Sequence, residues 1–193
     1  MPELTMQALE DISGRLRQRE LTVEGAASDY SLAELCAALT PSRARAQAVA
    51  EGWTQAQLWF QPPGAATADS SEDRWSATEA LTHLIATQNW YLLHMGRLLG
   101  RREHFDLMVR GLGDQAHADV PKADLARDLR AATTRMLNFC DSIPADADLT
   151  ARRDSTFFGD LSLRGWVLLA LQHDTEHLAQ IERLTRLPGF PAA

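Results

Sequence analysis

The stretch LALQHDTEHLAQIERL, residues 169–184, places two histidines and an aspartate among leucine, isoleucine and alanine. The apolar residues recur every three or four positions, which predicts an amphipathic helix over about residues 161–187. Polar side chains that can bind a metal are unexpected on the apolar side of such a helix. Their position around the helix axis therefore decides how the stretch is interpreted.

A helical wheel of about 100° per residue separates the polar residues of this helix into two groups. His177 falls inside the apolar arc, His173 lies at its edge, and Asp174 lies near its middle. Glu176 falls on the opposite side with Gln172 and is predicted to face water. Because buried polar groups without partners cost about 1–3 kcal/mol each, the two histidines and the aspartate need partners.

The same periodicity occurs along most of the chain, whereas strand-like alternation is nearly absent. Long helices are predicted near residues 41–60, 76–99, 121–142 and 161–187. Ser76 and Glu79 have capping-box spacing at the start of the second one. Four helices of this length predict an all-α fold, a four-helix bundle.

The first forty residues are predicted to form an N-terminal helical extension. A helix is expected near residues 4–18, a linker over residues 20–30, and a second helix after a capping box formed by Ser31 and Glu34. Thr40–Pro41 is predicted to break that helix, with Pro41 starting the first bundle helix. The predicted organisation is therefore an extension at 1–40, a bundle at 41–187 and a C-terminal tail at 188–193.

A histidine pair four residues apart can converge on one metal ion, but such pairs are common by chance. A histidine from another helix would strengthen the interpretation, and His83 lies on a second, mostly apolar face of its predicted helix. A structural role for His83 is the alternative. His94 shares that face about 16 Å along the axis and is predicted to be structural or pocket-lining. His104 and His117 fall in a loop and are predicted to be exposed.

Three neutral imidazoles leave at least one position open on a divalent ion, as catalytic sites do. Zinc, nickel and ferrous iron suit all-histidine ligation about equally. Such an ion can lower the pKa of a bound water or hold a reactive thiolate. Asp174 can either orient an imidazole or pair with a buried arginine. Gln180 can add a hydrogen bond at this site or be a polar residue at the boundary of the core.

Composition excludes several classes of partner. The net charge is −7, from 19 basic and 26 acidic residues, which argues against nucleic acid. No apolar run is long enough to cross a membrane, and the N-terminus lacks a signal-peptide pattern, so a cytoplasmic protein is expected. Cys36 and Cys140 are each predicted to be small buried side chains, with no sign of a disulfide framework.

The motifs WSATEALTHL (75–84) and HDTEHLAQI (173–181) resemble those of the DinB/YfiT-like superfamily of metal-binding four-helix bundles. The shared features are a Trp-Ser opening followed by a histidine, and an HxxxH followed by Gln-Ile. The resemblance covers about residues 41–187. It implies an up-down-down-up bundle, a homodimer, and a divalent metal held by His83, His173 and His177.

Characterised members of that superfamily include transferases and isomerases that use low-molecular-weight thiols such as bacillithiol or mycothiol, and proposed hydrolases. The resemblance therefore implies a metal-dependent enzyme of the thiol S-transferase or hydrolase type, acting on a small-molecule substrate. A ferritin-like di-iron site is disfavoured, because only Asp174 and His177 have the required spacing. The main alternative is a non-catalytic, dimeric metal-binding bundle with a stress or sensing role.

Overall fold

The computed structural model describes residues 4–63, 74–101 and 119–192. Within these ranges the chain is predominantly helical, with seven helices and one short antiparallel hairpin. The elements, in chain order, are α1 (Met6–Arg17), α2 (Val23–Ala27), α3 (Leu32–Gly52), α4 (Gln55–Leu58), α5 (Ala77–Leu98), α6 (Lys122–Asp141), β1 (Arg153–Asp154), β2 (Asp160–Leu161) and α7 (Leu163–Leu184). The all-α prediction is confirmed.

Four long helices, α3, α5, α6 and α7, form the body of the molecule. α3 packs against α6 and α7, and α5 packs against the same two helices, with little direct contact between α3 and α5. The first two long helices in the chain are therefore diagonal rather than adjacent. The up-down-down-up order stays a prediction. None of the described helices is both long enough and apolar enough to span a membrane.

Local sequence signals place most helix ends correctly. The predicted capping boxes are present, because Ser31 and Ser76 each accept a hydrogen bond from the backbone three residues on, and Glu34 and Glu79 return one. α5, α6 and α7 begin and end within three residues of their predicted bounds. These caps satisfy backbone donors that otherwise have no partner in the first turn of a helix.

The predicted break at Thr40–Pro41 is wrong. α3 runs without interruption from Leu32 to Gly52, with Pro41 inside it. An internal proline removes one backbone hydrogen bond and costs about 3 kcal/mol or more in a helix. The helix continues because both of its halves are packed: Leu35 and Leu39 before the proline and Ala46 after it are almost fully buried. The division of the chain at residue 40 stays a prediction.

Two other segment predictions also need correction. The expected linker at residues 20–30 contains α2, whose cap is the Thr22 side chain. The first bundle helix does not reach Phe60, because α3 ends at Gly52 and a new capping box at Thr54 and Gln57 starts the short helix α4. Both corrections arise from short helices that carry too few residues to show a period.

The N-terminal extension covers a face of α7 that was predicted to face water. Both α1 and α2 pack against α7. Arg17 Nη1 of α1 lies 3.7 Å from Glu176 Oε1, and Gln172 is only 6% exposed. The prediction for this face is wrong because a helical wheel shows polarity but not which neighbours pack over a polar stripe.

Candidate metal centre

Two packed helices carry the three histidines that were singled out in the sequence. His83 lies two turns into α5, after the capping box that fixes where that helix begins. His173 and His177 lie one turn apart on α7, which packs directly against α5. Because residues four apart share a helix face, both α7 imidazoles are directed toward the same neighbour.

The three imidazoles converge through the same ring atom. His83 Nε2 lies 3.1 Å from His173 Nε2, and His177 Nε2 lies 3.2 Å from His173 Nε2. One ligand atom from each of the three lies within 4.8 Å of the others. A tetrahedral ion with metal–nitrogen bonds of about 2.0–2.1 Å separates its ligand atoms by about 3.3–3.4 Å. The histidine cluster therefore has the dimensions of a site that could hold a metal ion.

The surroundings of His173 favour its neutral ring. Burial, followed by the neighbouring imidazoles of His177 and His83 and the Arg43 guanidinium, holds the pKa of His173 well below its ordinary value. A neutral imidazole has a free lone pair on one nitrogen, which is the form that binds metal. His173 is therefore already in the form that can bind a metal ion.

Gln180 determines which nitrogen of His177 carries the proton. His177 Nδ1 lies 2.9 Å from Gln180 Oε1. Because the amide oxygen only accepts, Nδ1–H must donate, and the lone pair of the ring is then on Nε2. That atom is the one that meets the other two histidines. A hydrogen bond of this kind orients metal-binding histidines and makes them more basic.

Aromatic side chains enclose the histidine cluster. Trp75 stacks on His177 with ring centroids 5.6 Å apart, and its ring lies 4.8 Å from that of His83. Tyr91 contacts His173 edge-on at 5.8 Å and is buried. These rings limit water around the imidazoles and fix their planes. Trp75 and Tyr91 were not identified from the sequence as neighbours of the histidines, although Trp75 belongs to the motif that contains His83.

Asp174 pairs with an arginine. Arg43 Nε of α3 lies 2.7 Å from Asp174 Oδ2, and both side chains are at most 2% exposed. The contact is an ion pair rather than a well-directed hydrogen bond, because the N–H bond does not point at the oxygen. Burial raises the pKa of Asp174 to about 6, whereas Arg43 and Ser42 lower it. Of the two sequence interpretations, the structure shows the buried pair with an arginine.

His94 belongs to a separate cluster. Its ring stacks on Trp166 with centroids 4.3 Å apart, and its Nδ1 accepts a hydrogen bond from Arg153 Nε of β1 at 3.2 Å. Burial, with help from Arg153 and Arg97, lowers the pKa of His94 to about 4. This neutral ring anchors the hairpin to the bundle, in line with the structural role predicted for it. His104 and His117 lie outside the described residues.

Comparison with known proteins agrees with this arrangement. The family model for the DinB superfamily matches residues 38–181, about three quarters of the chain. The chain belongs to the DinB superfamily. No curated protein and no solved structure matches it. Together, membership of the DinB superfamily and the histidine cluster fit a metal-binding protein.

Proposed function

We propose that this DinB protein is a metal-dependent enzyme in which His83, His173 and His177 hold one divalent ion. The observation that carries the proposal is the convergence of three Nε2 atoms from two helices. The neutral state of His173 and the Gln180 hydrogen bond to His177 support it, because both prepare lone pairs for a cation. Zinc, nickel and ferrous iron are the candidate ions.

An ion held by three imidazoles keeps at least one position open and lowers the pKa of a water or thiol placed there. The protein itself supplies orientation and exclusion of water. Gln180 fixes the ring of His177, and Trp75 covers two of the three imidazoles. The reaction type that this arrangement suits is transfer of a low-molecular-weight thiol or hydrolysis by an activated water.

A pocket of about 710 Å³, whose wall includes His177 but neither His83 nor His173, supplies space for a small-molecule substrate. His177 and Gln180 line one side of it, and Phe157 and Phe158 of the β1–β2 turn line another. The rest of the wall comes from the stretch between Glu10 and Val23, which includes part of α1, and from other residues of α7 such as Glu176 and Arg183. Eight of the lining residues, all between Glu10 and Val23, precede the part of the chain that matches the family. We therefore propose that the N-terminal extension contributes to substrate selection.

Charges of both signs line this pocket. Arg17, Arg19 and Arg183 lie on its wall together with Glu10 and Glu176. Arg17 and Glu176 form an ion pair at 3.7 Å, which leaves the other charges available to a ligand. A wall of this kind suits a polar molecule that carries ionised groups better than it suits a lipid or an aromatic hydrocarbon.

Metal-dependent turnover tests the enzymatic part of the proposal. Protein loaded with zinc, nickel or ferrous iron is assayed for transfer of bacillithiol, mycothiol or glutathione to electrophilic substrates, and for hydrolysis of ester and amide substrates. We expect activity that disappears on chelation, returns with metal, and is absent in His83→Ala. Metal-loaded protein that turns over none of these substrates would contradict the enzyme and favour the non-catalytic metal-binding bundle. We also propose that the protein forms a homodimer, as the family resemblance implies.

A further inference from the structure

Two cysteines that are far apart in the sequence lie side by side in the fold. Cys36 of α3 and Cys140 of α6 are both free and half-buried. Both line the same groove, and each thiol shifts the pKa of the other. The contact exists because α3 packs along α6. From the sequence each was predicted to be a separate small buried side chain, because nothing local relates positions 36 and 140.

The thiol pair is accessible from solvent. Both cysteines line a groove of about 580 Å³ between α3, α6 and the segment after α6. Its wall is mostly apolar and includes Leu32, Leu137 and Ile143. A groove of this size admits a small oxidant, whereas two cysteines sealed in the core would be inert.

The surroundings make the two thiols unequal. The neighbouring Cys140 thiol lowers the pKa of Cys36, although burial and Asp141 raise it. The neighbouring Cys36 thiol, together with burial, raises the pKa of Cys140. Cys36 is therefore the more acidic thiol, and Cys140 stays protonated beside it. An attacking thiolate next to a second thiol is the arrangement of redox-active cysteine pairs.

We propose that Cys36 and Cys140 form a redox-active dithiol that hydrogen peroxide converts into a disulfide joining α3 to α6. The Cys36 thiolate attacks one peroxide oxygen and the O–O bond breaks, which gives a sulfenic acid on Cys36 and one water after protonation. Cys140 then attacks that sulfur, the S–O bond breaks, and a second water leaves. Two thiols lose two electrons and two protons, and one peroxide becomes two waters.

This inference does not rest on the proposed metal site. The cysteines lie on α3 and α6, whereas the three histidines lie on α5 and α7. Oxidation in the presence of a chelator therefore separates the two proposals. A disulfide between α3 and α6 would join two helices of the bundle and would involve neither of the helices that carry the histidines.

Mass spectrometry of the full chain tests the dithiol. Reduced protein is treated with hydrogen peroxide and a chelator, and we expect the intact mass to fall by about 2 Da, because two thiol hydrogens are lost. A non-reducing peptide map should contain one Cys36–Cys140 cross-linked peptide, and dithiothreitol should remove it. Cys36→Ser and Cys140→Ser are matched controls that should show no mass loss and no cross-link. Circular dichroism checks that both variants remain folded.

Three results would overturn the proposal. The first is a gain of oxygen on single cysteines in the wild type without any intramolecular cross-link. The second is a disulfide between two molecules, seen as a covalent dimer. The third is a wild type that keeps both thiols, although a cysteine-containing peptide added to the same tube as a control is oxidised by the peroxide. The peptide map of the wild type distinguishes these three results from the expected cross-link, even if a variant fails to fold.

Discussion

Replacing Asp174 with alanine is expected to lower the free energy of unfolding by about 3–5 kcal/mol, because it removes one partner of a buried ion pair. Arg43 and Asp174 are 1% and 2% exposed, so the guanidinium left behind could not reach water. The measurement is urea denaturation at about pH 8, above the pKa of about 6 to which burial raises Asp174, so that the wild-type carboxylate is ionised. Circular dichroism follows the transition.

A double variant separates the loss of the pair from a loss of packing. In Arg43→Met with Asp174→Leu, both charges are removed and apolar side chains of similar size replace them. Buried pairs replaced in this way often lose little stability. We therefore expect the double variant to recover most of the stability that Asp174→Ala loses. A cost below about 1 kcal/mol for the single variant would show that Arg43 does not depend on the carboxylate.

Replacing Gln180 with leucine is expected to weaken metal binding about 10–100-fold, because hydrogen-bond partners of metal-binding histidines contribute on this scale. The amide oxygen holds His177 Nδ1–H at 2.9 Å and thereby directs Nε2 toward the other two histidines. Leucine of similar size keeps the packing but accepts no hydrogen bond. Competition with a chromogenic chelator measures the affinity of each protein for zinc.

Two further variants sharpen the Gln180 test. Gln172→Leu changes another buried glutamine of α7 and is expected to leave the affinity unchanged. Gln180→Glu keeps an acceptor at the same position and is expected to bind zinc at least as tightly as the wild type. An equal loss of affinity in Gln180→Leu and Gln172→Leu would contradict the orienting role, because it would indicate a general disturbance of α7.

The sequence predicts those features of the fold that depend on neighbours along the chain. The Ser31–Glu34 and Ser76–Glu79 capping boxes are local hydrogen-bond patterns, and both are present. The wheel positions of the α7 histidines follow from the helix period alone, and the structure brings both rings to His83. Local chemistry was therefore sufficient for the bounds of α5, α6 and α7 and for the helix faces on which the histidines lie, whereas the set of three ligands was implied by the family resemblance.

Features that depend on tertiary packing could not be predicted in the same way. The helix continues through Pro41 because contacts to α6 and α7 outweigh a local penalty. Glu176 is partly covered because α1 packs on a polar stripe. The partner of Asp174 was foreseen only as some arginine. The sequence did contain a sign that Arg43 is the buried arginine. Arg43 lies three residues before Ala46 and seven before Ala50, and therefore shares their buried helix face.

Metal content of the purified protein tests the central claim most directly. The wild type, His83→Ala and His177→Ala are purified without a tag, incubated with zinc, nickel or ferrous iron, desalted, and measured by inductively coupled plasma mass spectrometry. Because the three Nε2 atoms converge from α5 and α7, we predict about one ion per chain in the wild type and a loss of that ion in both variants. A wild type without metal, or variants that keep it, would contradict the three-histidine site.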